Sequence, residues 1–297
     1  MSKFIFNGNF TKDEDKDLWI QDSFTGAKDS MAHETGDVSS SEIYNPRKVR
    51  WFNSFEFAQQ IRYMVALNWM REHFVKLSKK NKKRRQVLDL GCSYSFLYNF
   101  WRSNGNYFGW PKIHYHGVDA NIKRIQKGRE TFVPKRNDIL TYYLADVTKP
   151  IALIKELKVD IIVCMETIEH LPKKKVPVLM KNIRKNLKKD GIIIMSSPNP
   201  KKEEGENFVW KDSQKGHIYE WGFDEIYDLY KEEGLKVIDY CGILPVRNYR
   251  NKTVHKDIGG HLSDYLPFTV VNNILCLLDH PLECSKQWMF LLRKEQS

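Results

Sequence analysis

The chain has little with which to staple itself together. Its 297 residues include five cysteines, at positions 92, 164, 241, 276 and 284, and no C-x-x-C pair. A zinc ribbon and a disulfide framework are therefore not expected, and reduced thiols in a cytoplasm are. Long apolar runs are missing too: Val270-Val271 is cut off from Ile274-Leu275 by Asn272 and Asn273, well short of the ~20 residues that cross a bilayer. No membrane partner is expected. Met1 to Gly8 carry no long apolar core of a secretory signal. Internal repeats are absent, and so is the G-x-G-x-x-G turn of dinucleotide-binding folds, which counts against a dehydrogenase.

What is present is enough for a packed core. Hydrophobic residues make up 41% of the chain, with room for one sizeable α/β domain. Residues 1–45 are polar and of mixed charge, and read as an arm. Residues 46–297 read as the domain. Apolar residues recur at helical spacing from Ser54 to Lys79, with Ser54 as N-cap. Beyond them, strands are expected at 86–90, 113–118, 141–144, 159–164 and 191–196, separated by helices from about 94, at 121–130, 150–157 and 173–188. A helix at 223–233, a strand at 235–241 and a late strand at 288–292 complete the pattern. Alternation of this kind predicts a mostly parallel, doubly wound sheet with helices on both faces. Residues 245–286 form a long insert before the last strand, suited to shaping substrate choice or to packing on the core.

Three of these strands end in an acid. Val87-Leu88-Asp89-Leu90-Gly91-Cys92-Ser93-Tyr94-Ser95 reads as a buried strand, a tight turn and a helix start, with Gly91 open to close approach by a ligand. Asp119 closes Ile113–Val118, and Asp146 follows Tyr142-Tyr143-Leu144-Ala145. Taken singly, each is a turn or cap residue; in order, each before a helical segment, they describe a nucleotide-sized crevice.

The first stretch resembles the D-x-G-x-G-x-G motif of class I S-adenosylmethionine-dependent methyltransferases. Asp89 and Gly91 match, while Ser93 and Ser95 stand where glycine is usual. The resemblance covers roughly residues 85–240. It implies a Rossmann-like fold with a seven-stranded sheet whose last strand is antiparallel. It also implies S-adenosylmethionine held by Asp89, Gly91 and Ser93, its ribose by Asp119 and its adenine amino group by Asp146. No N-P-P-Y-type segment follows the fourth strand, which argues against methylation of exocyclic base amines.

After the fourth strand comes Cys164-Met165-Glu166-Thr167-Ile168-Glu169-His170-Leu171-Pro172. A helical turn there places Glu166, Glu169 and His170 on one face, a set suited to a hard divalent ion or to acid–base work. With His217 in Lys215-Gly216-His217-Ile218-Tyr219-Glu220-Trp221, beyond the fifth-strand loop 196–200, the pattern resembles small-RNA 3′-terminal 2′-O-methyltransferases. That resemblance implies Mg2+ or Mn2+ held by Glu166, Glu169, His170 and His217, which would acidify a ribose hydroxyl. Metal-free methyltransferases of the broad group carry similar segments, and a histidine that ties down a loop through hydrogen bonds is the alternative for His217, so both readings stay open.

Lysine and arginine number 48 against 37 acids, a balance of +11 that suits a polyanionic partner. Lys79 to Arg85 precede the first core strand and fall at the amino end of the sheet, opposite the crevice; a solvated linker is their plain reading. Lys173–Lys175, Lys201, Lys202, Lys211 and Lys215 border the reactive end. The expectation is a cytoplasmic methyltransferase acting on oxygen or nitrogen, with RNA ribose as one acceptor. A metal-free small-molecule enzyme and a silent binding module are the alternatives.

Overall fold

The structure, a computed structural model, describes residues 2–6, 54–79, 83–104, 111–131, 138–149, 156–200, 217–245 and 285–295. Its strands are β1 (Ser2–Phe6), β2 (Arg85–Leu90), β3 (Ile113–Asp119), β4 (Ile139–Leu144), β5 (Val159–Met165), β6 (Leu187–Pro198), β7 (Leu235–Pro245) and β8 (Ser285–Lys294). The helices are α1 (Ser54–Ser78), α2 (Phe96–Asn104), α3 (Ile122–Thr131), α4 (Val176–Asn186) and α5 (Phe223–Glu232). The strands make one sheet in the order β1-β4-β3-β2-β5-β6-β8-β7. All neighbours are parallel except β8, which runs antiparallel to both β6 and β7.

The seven expected strands all form. An eighth, β1, joins them from the segment read as an arm: Ser2 to Phe6 pair in parallel with Leu140 to Leu144. The run Lys3-Phe4-Ile5-Phe6 is rich in β-formers, a local signal that the polar residues after it obscured. The expected helix at 150–157 and nearly all of the 245–286 insert lie outside the described residues. The expected helix 173–188 is shorter than foreseen. A 3-10 turn spans Lys173–Lys175, α4 starts beside Pro177, and Leu187 already pairs with Val159 as the start of β6.

Strand faces alternate, and each face has its own core. On one, Leu88, Val118, Ile162, Ile193 and Phe290 pack under α4 and α5. On the other, Val87, Tyr115, Ile161, Ile194 and Met289 pack under α1, α2 and α3. α1 crosses to the far edge of the sheet, where Trp69 donates its indole N–H to Asp239 of β7 at 3.1 Å. The chain order reverses between β2 and β5, which are hydrogen-bonded neighbours. The carboxyl ends of those two strands open the crevice at this switch point.

Candidate active site

One half of the site is the turn after β2. Gly91 adopts φ +78°, and a Cβ there would lie 2.2 Å from Thr167 Oγ1 and 2.9 Å from its Cγ2. Thr167 hydrogen-bonds the carbonyls of Leu90 (3.2 Å) and Met165 (3.0 Å). The glycine therefore makes room for the turn after β5, a demand additional to the ligand approach expected of it. Ser93 and Ser95 take φ values of 47° and 62°, in the left-handed region, so these serines hold a conformation that favours glycine.

The acids at the strand tips converge. Asp119 accepts the Ser93 N–H through Oδ2 and the Asn121 N–H through Oδ1, both at 2.8 Å, which ties the β2 turn to the tip of β3. Asp146 lies two residues beyond Leu144, the register partner of Asp119. Its Oδ1 accepts the Thr148 N–H (2.8 Å) and hydroxyl (2.7 Å). Each carboxylate thus spends part of its capacity on the chain and keeps further lone pairs. Asp89 is fully enclosed and takes a 2.5 Å hydrogen bond from the Tyr115 hydroxyl. Burial pushes its carboxyl up to about 7; the Tyr115 bond opposes that shift and the charge of Asp119 adds to it. Burial, with Asp119 and Asp89 nearby, also pushes the Cys92 thiol well up, so it stays a thiol.

The other half is the turn after β5. Glu166 has φ 49°, a third left-handed non-glycine residue at a strand tip. Its Oε1 accepts the Ser196 hydroxyl (2.8 Å) and pairs with Arg62 Nη1 of α1 (3.1 Å), while Oε2 accepts from Gln287 Nε2 of β8 (3.2 Å). A helical face through Glu166, Glu169 and His170 does not form. The chain passes through the left-handed region at Glu166, and only Ile168–His170 make a 3-10 turn. Glu166 is drawn to Arg62, away from the other two.

His217 does come to Glu169 and His170. The Glu169 carbonyl accepts the N–H groups of Ile218 (2.7 Å) and Tyr219 (3.1 Å), bringing the His217 ring to 5.1 Å from that of His170. One ligand atom from each of Glu169, His170 and His217 can be chosen so that all lie within 4.8 Å of one another. Ser197 Oγ steadies Glu169 Oε2 at 3.3 Å. His217 Nδ1 sits 2.6 Å from Glu220 Oε1, a carboxylate–imidazole pair that fixes the ring. Lys173 latches the same segment, reaching Glu225 and the Tyr219 hydroxyl (3.1 Å) with its ammonium 4.7 Å over the Tyr219 ring.

A family model described as "Methyltransferase domain" matches residues 57–240, more than half of the chain and both halves of this site. The chain belongs to that methyltransferase family. No curated protein sequence matches it. Among solved structures, magnesium protoporphyrin IX methyltransferase of Synechocystis with bound S-adenosylmethionine is 12% identical, with TM-score 0.53 over 96% of this chain and 99% of that one. The same enzyme with bound S-adenosylhomocysteine is 13% identical, with TM-score 0.53 over 95% and 100%. An S-adenosylmethionine-dependent methyltransferase of Clostridium acetobutylicum is 12% identical, with TM-score 0.48 over 91% and 100%. Family and fold together place the chain in the class I S-adenosylmethionine-dependent methyltransferase superfamily.

Within this methyltransferase, several residues beside the site escaped the sequence reading. Arg62 lay in a helix read for its apolar stripe, although a charge between Ile61 and Tyr63 was a signal. Gln287 directly precedes the buried run Trp288–Leu292, and its polarity there was the only hint. Glu220 was visible, three residues from His217, as a possible partner. Nothing local announces that Thr167 occupies the space beside Gly91.

Proposed function

We propose that this domain transfers the methyl group of S-adenosylmethionine to an oxygen or nitrogen of a nucleic acid, with an RNA ribose 2′-hydroxyl as the specific form. The observation that carries the reading is the convergence of Asp89, Asp119 and Asp146 at the switch point. Their chemistry fits a ligand with a vicinal diol, an aromatic amine and a cationic amino-acid end. Asp119 would accept the ribose hydroxyls and Asp146 the adenine amino group. The turn of Asp89, Gly91 and Ser93 would hold the methionine end. When bound, S-adenosylmethionine supplies a methyl made electrophilic by its sulfonium, so alignment of the acceptor provides much of the acceleration.

At the acceptor end, His217, oriented by Glu220, is suited to take the proton from a hydroxyl or amine. Glu169 and His170 complete the catalytic set, and Glu166 shapes the pocket from its bonds to Arg62, Ser196 and Gln287. One carboxylate and two imidazoles also suit Mn2+ or a similar divalent ion, with Glu169, His170 and His217 as ligands and Glu220 behind one of them. The bonds already made by Glu166 argue against it as a fourth. Such an ion would acidify the acceptor hydroxyl. The 2.6 Å His217–Glu220 pair equally supports a metal-free base acting on a small molecule.

Calorimetric titration with S-adenosylhomocysteine tests the cofactor assignment. Asp119→Ala should weaken that affinity at least tenfold, the worth of roughly one charge-assisted hydrogen bond; unchanged affinity removes Asp119 from the ribose role. Methyl transfer to RNA, with and without EDTA, tests the rest. Full activity in EDTA eliminates the metal, labelling of small metabolites alone replaces the acceptor, and binding without turnover marks a silent module.

A further inference from the structure

The end of the sheet farthest from the crevice gathers positive charge from segments far apart in sequence. Arg84 opens onto β2, Lys112 precedes β3, Lys158 precedes β5 and Lys185 sits in the last turn of α4, and all are exposed. Because β8 is antiparallel, its final residue Lys294 arrives at the same end, paired with Leu235. β3, β2, β5 and β6 are consecutive neighbours, so these cations form a row across the sheet.

Part of the row is fixed in place. Lys158 Nζ donates to the Lys185 carbonyl and Lys294 Nζ to the Leu187 carbonyl, each at 2.5 Å. These acceptors are two residues apart, so two ammonium groups are held close together by the C-terminal end of α4. A carbonyl uses one of an ammonium's three N–H donors. Burial pushes the Lys294 ammonium down from its ordinary range, and the charges of Lys158 and Arg184 add to the shift. Carboxylates are fewer here: Asp160 is buried and committed to Lys188 (2.7 Å) and the Gln86 N–H (2.8 Å), and the exposed acids Glu156, Asp190 and Glu295 stand against the exposed Lys83, Arg84, Lys112, Lys158, Lys185 and Lys189. Crowding of this kind costs stability unless a polyanion relieves it.

We propose that this pole is a docking surface for the phosphate backbone of a nucleic acid, separate from the crevice. Among the described residues, the large exposed apolar side chains lie on α1, α5, β7 and at Ile218, none in the segments carrying Arg84, Lys112, Lys158 and Lys185. Among the described residues this surface therefore carries no apolar side chain of the kind an interfacial membrane binder inserts. Four neighbouring strands at ~4.8 Å spacing span on the order of 15 Å. That length faces about four phosphates of one strand, for which the expected slope of log affinity against log salt is roughly −3.

The test uses the full chain and a fluorescent single-stranded RNA of about 20 nucleotides, followed by anisotropy across a salt series. The wild type should show a slope near −3, and the triple variant Lys112→Glu, Lys158→Glu, Lys185→Glu should bind at least tenfold more weakly with a slope shallower by about 2. Its affinity for S-adenosylhomocysteine should stay at the wild-type value, which certifies the fold and the crevice. Equal RNA affinity and slope in variant and wild type overturn the proposal. So does a wild type that ignores RNA and binds vesicles of phosphatidylserine and phosphatidylcholine. The surface shares its partner class with the proposed function but not its site: RNA docking lost in the variant supports it even where RNA accepts no methyl.

Discussion

Replacing Gly91 by alanine separates two reasons for a glycine at the first motif. The new Cβ would stand 2.2 Å from Thr167 Oγ1, far inside contact distance, on a backbone with φ +78°. The left-handed conformation costs an alanine about 1 kcal/mol. Overpacking adds ~1–3 kcal/mol, and displacing the Thr167 hydroxyl from Leu90 and Met165 adds about 1 more. The expected loss is ~3–5 kcal/mol, a large part of the stability of an ordinary domain. Thr167→Ala removes the two nearest atoms and leaves only a Cβ contact of 3.1 Å. In that background Gly91→Ala should cost roughly 1–2 kcal/mol, a coupling of about 2 kcal/mol. Urea unfolding of wild type, both single variants and the double variant, followed by tryptophan fluorescence, gives the cycle. A coupling below ~0.5 kcal/mol would falsify the packing argument. A Gly91→Ala protein of undiminished stability that no longer binds S-adenosylhomocysteine would restore the ligand as the reason.

Two further predictions concern pH. The Asp89 carboxyl sits at about 7 in the fold against a reference of 3.8, so between those values the folded chain keeps a proton that the unfolded chain releases. Its contribution is whole below the reference value and fades as pH rises through 7; Asp89→Asn should flatten this dependence, and urea midpoints at about pH 5 and 8 that fall as steeply in the variant refute it. His73 runs the other way. Burial, then the charge of Arg293, lowers its imidazole to about 4 from 6.5, so its contribution holds above the reference and disappears as pH falls through 4. Neither ring nitrogen of His73 has a hydrogen-bond partner among the described residues. His73→Leu should leave stability at neutral pH unchanged or raised by about 1 kcal/mol and should soften acid unfolding, which a pH series of melting temperatures reads directly.

The sheet was legible because its core strands are short apolar runs that alternate with helical stretches, and three of them end in an acid. Val87–Leu90 and Tyr142–Asp146 show this most plainly. The failures share a cause. A helical turn through Glu166 was inferred from spacing, whereas its backbone is set by Arg62, Ser196 and Gln287, 104, 30 and 121 residues away. Gly91 was read for the approach of a ligand, and the second demand on it, the closeness of Thr167, comes from another strand tip. β1 was overlooked because a five-residue edge strand pairs with β4 across more than 130 residues. Local pattern specifies elements; the partners that bend a backbone or fill a gap come from elsewhere in the chain.

β8 has a consequence for the order of assembly. It lies between β6 and β7, and it contributes Trp288, whose indole N–H donates to the Trp221 carbonyl at 3.1 Å, and Gln287, which reaches Glu166. A nascent chain halted anywhere before Ser285 would hold β6 and β7 without the piece that joins them. Synthesis must therefore pass β8 before that side of the sheet can close, which leaves a long window in which chaperones would find two unpaired edges.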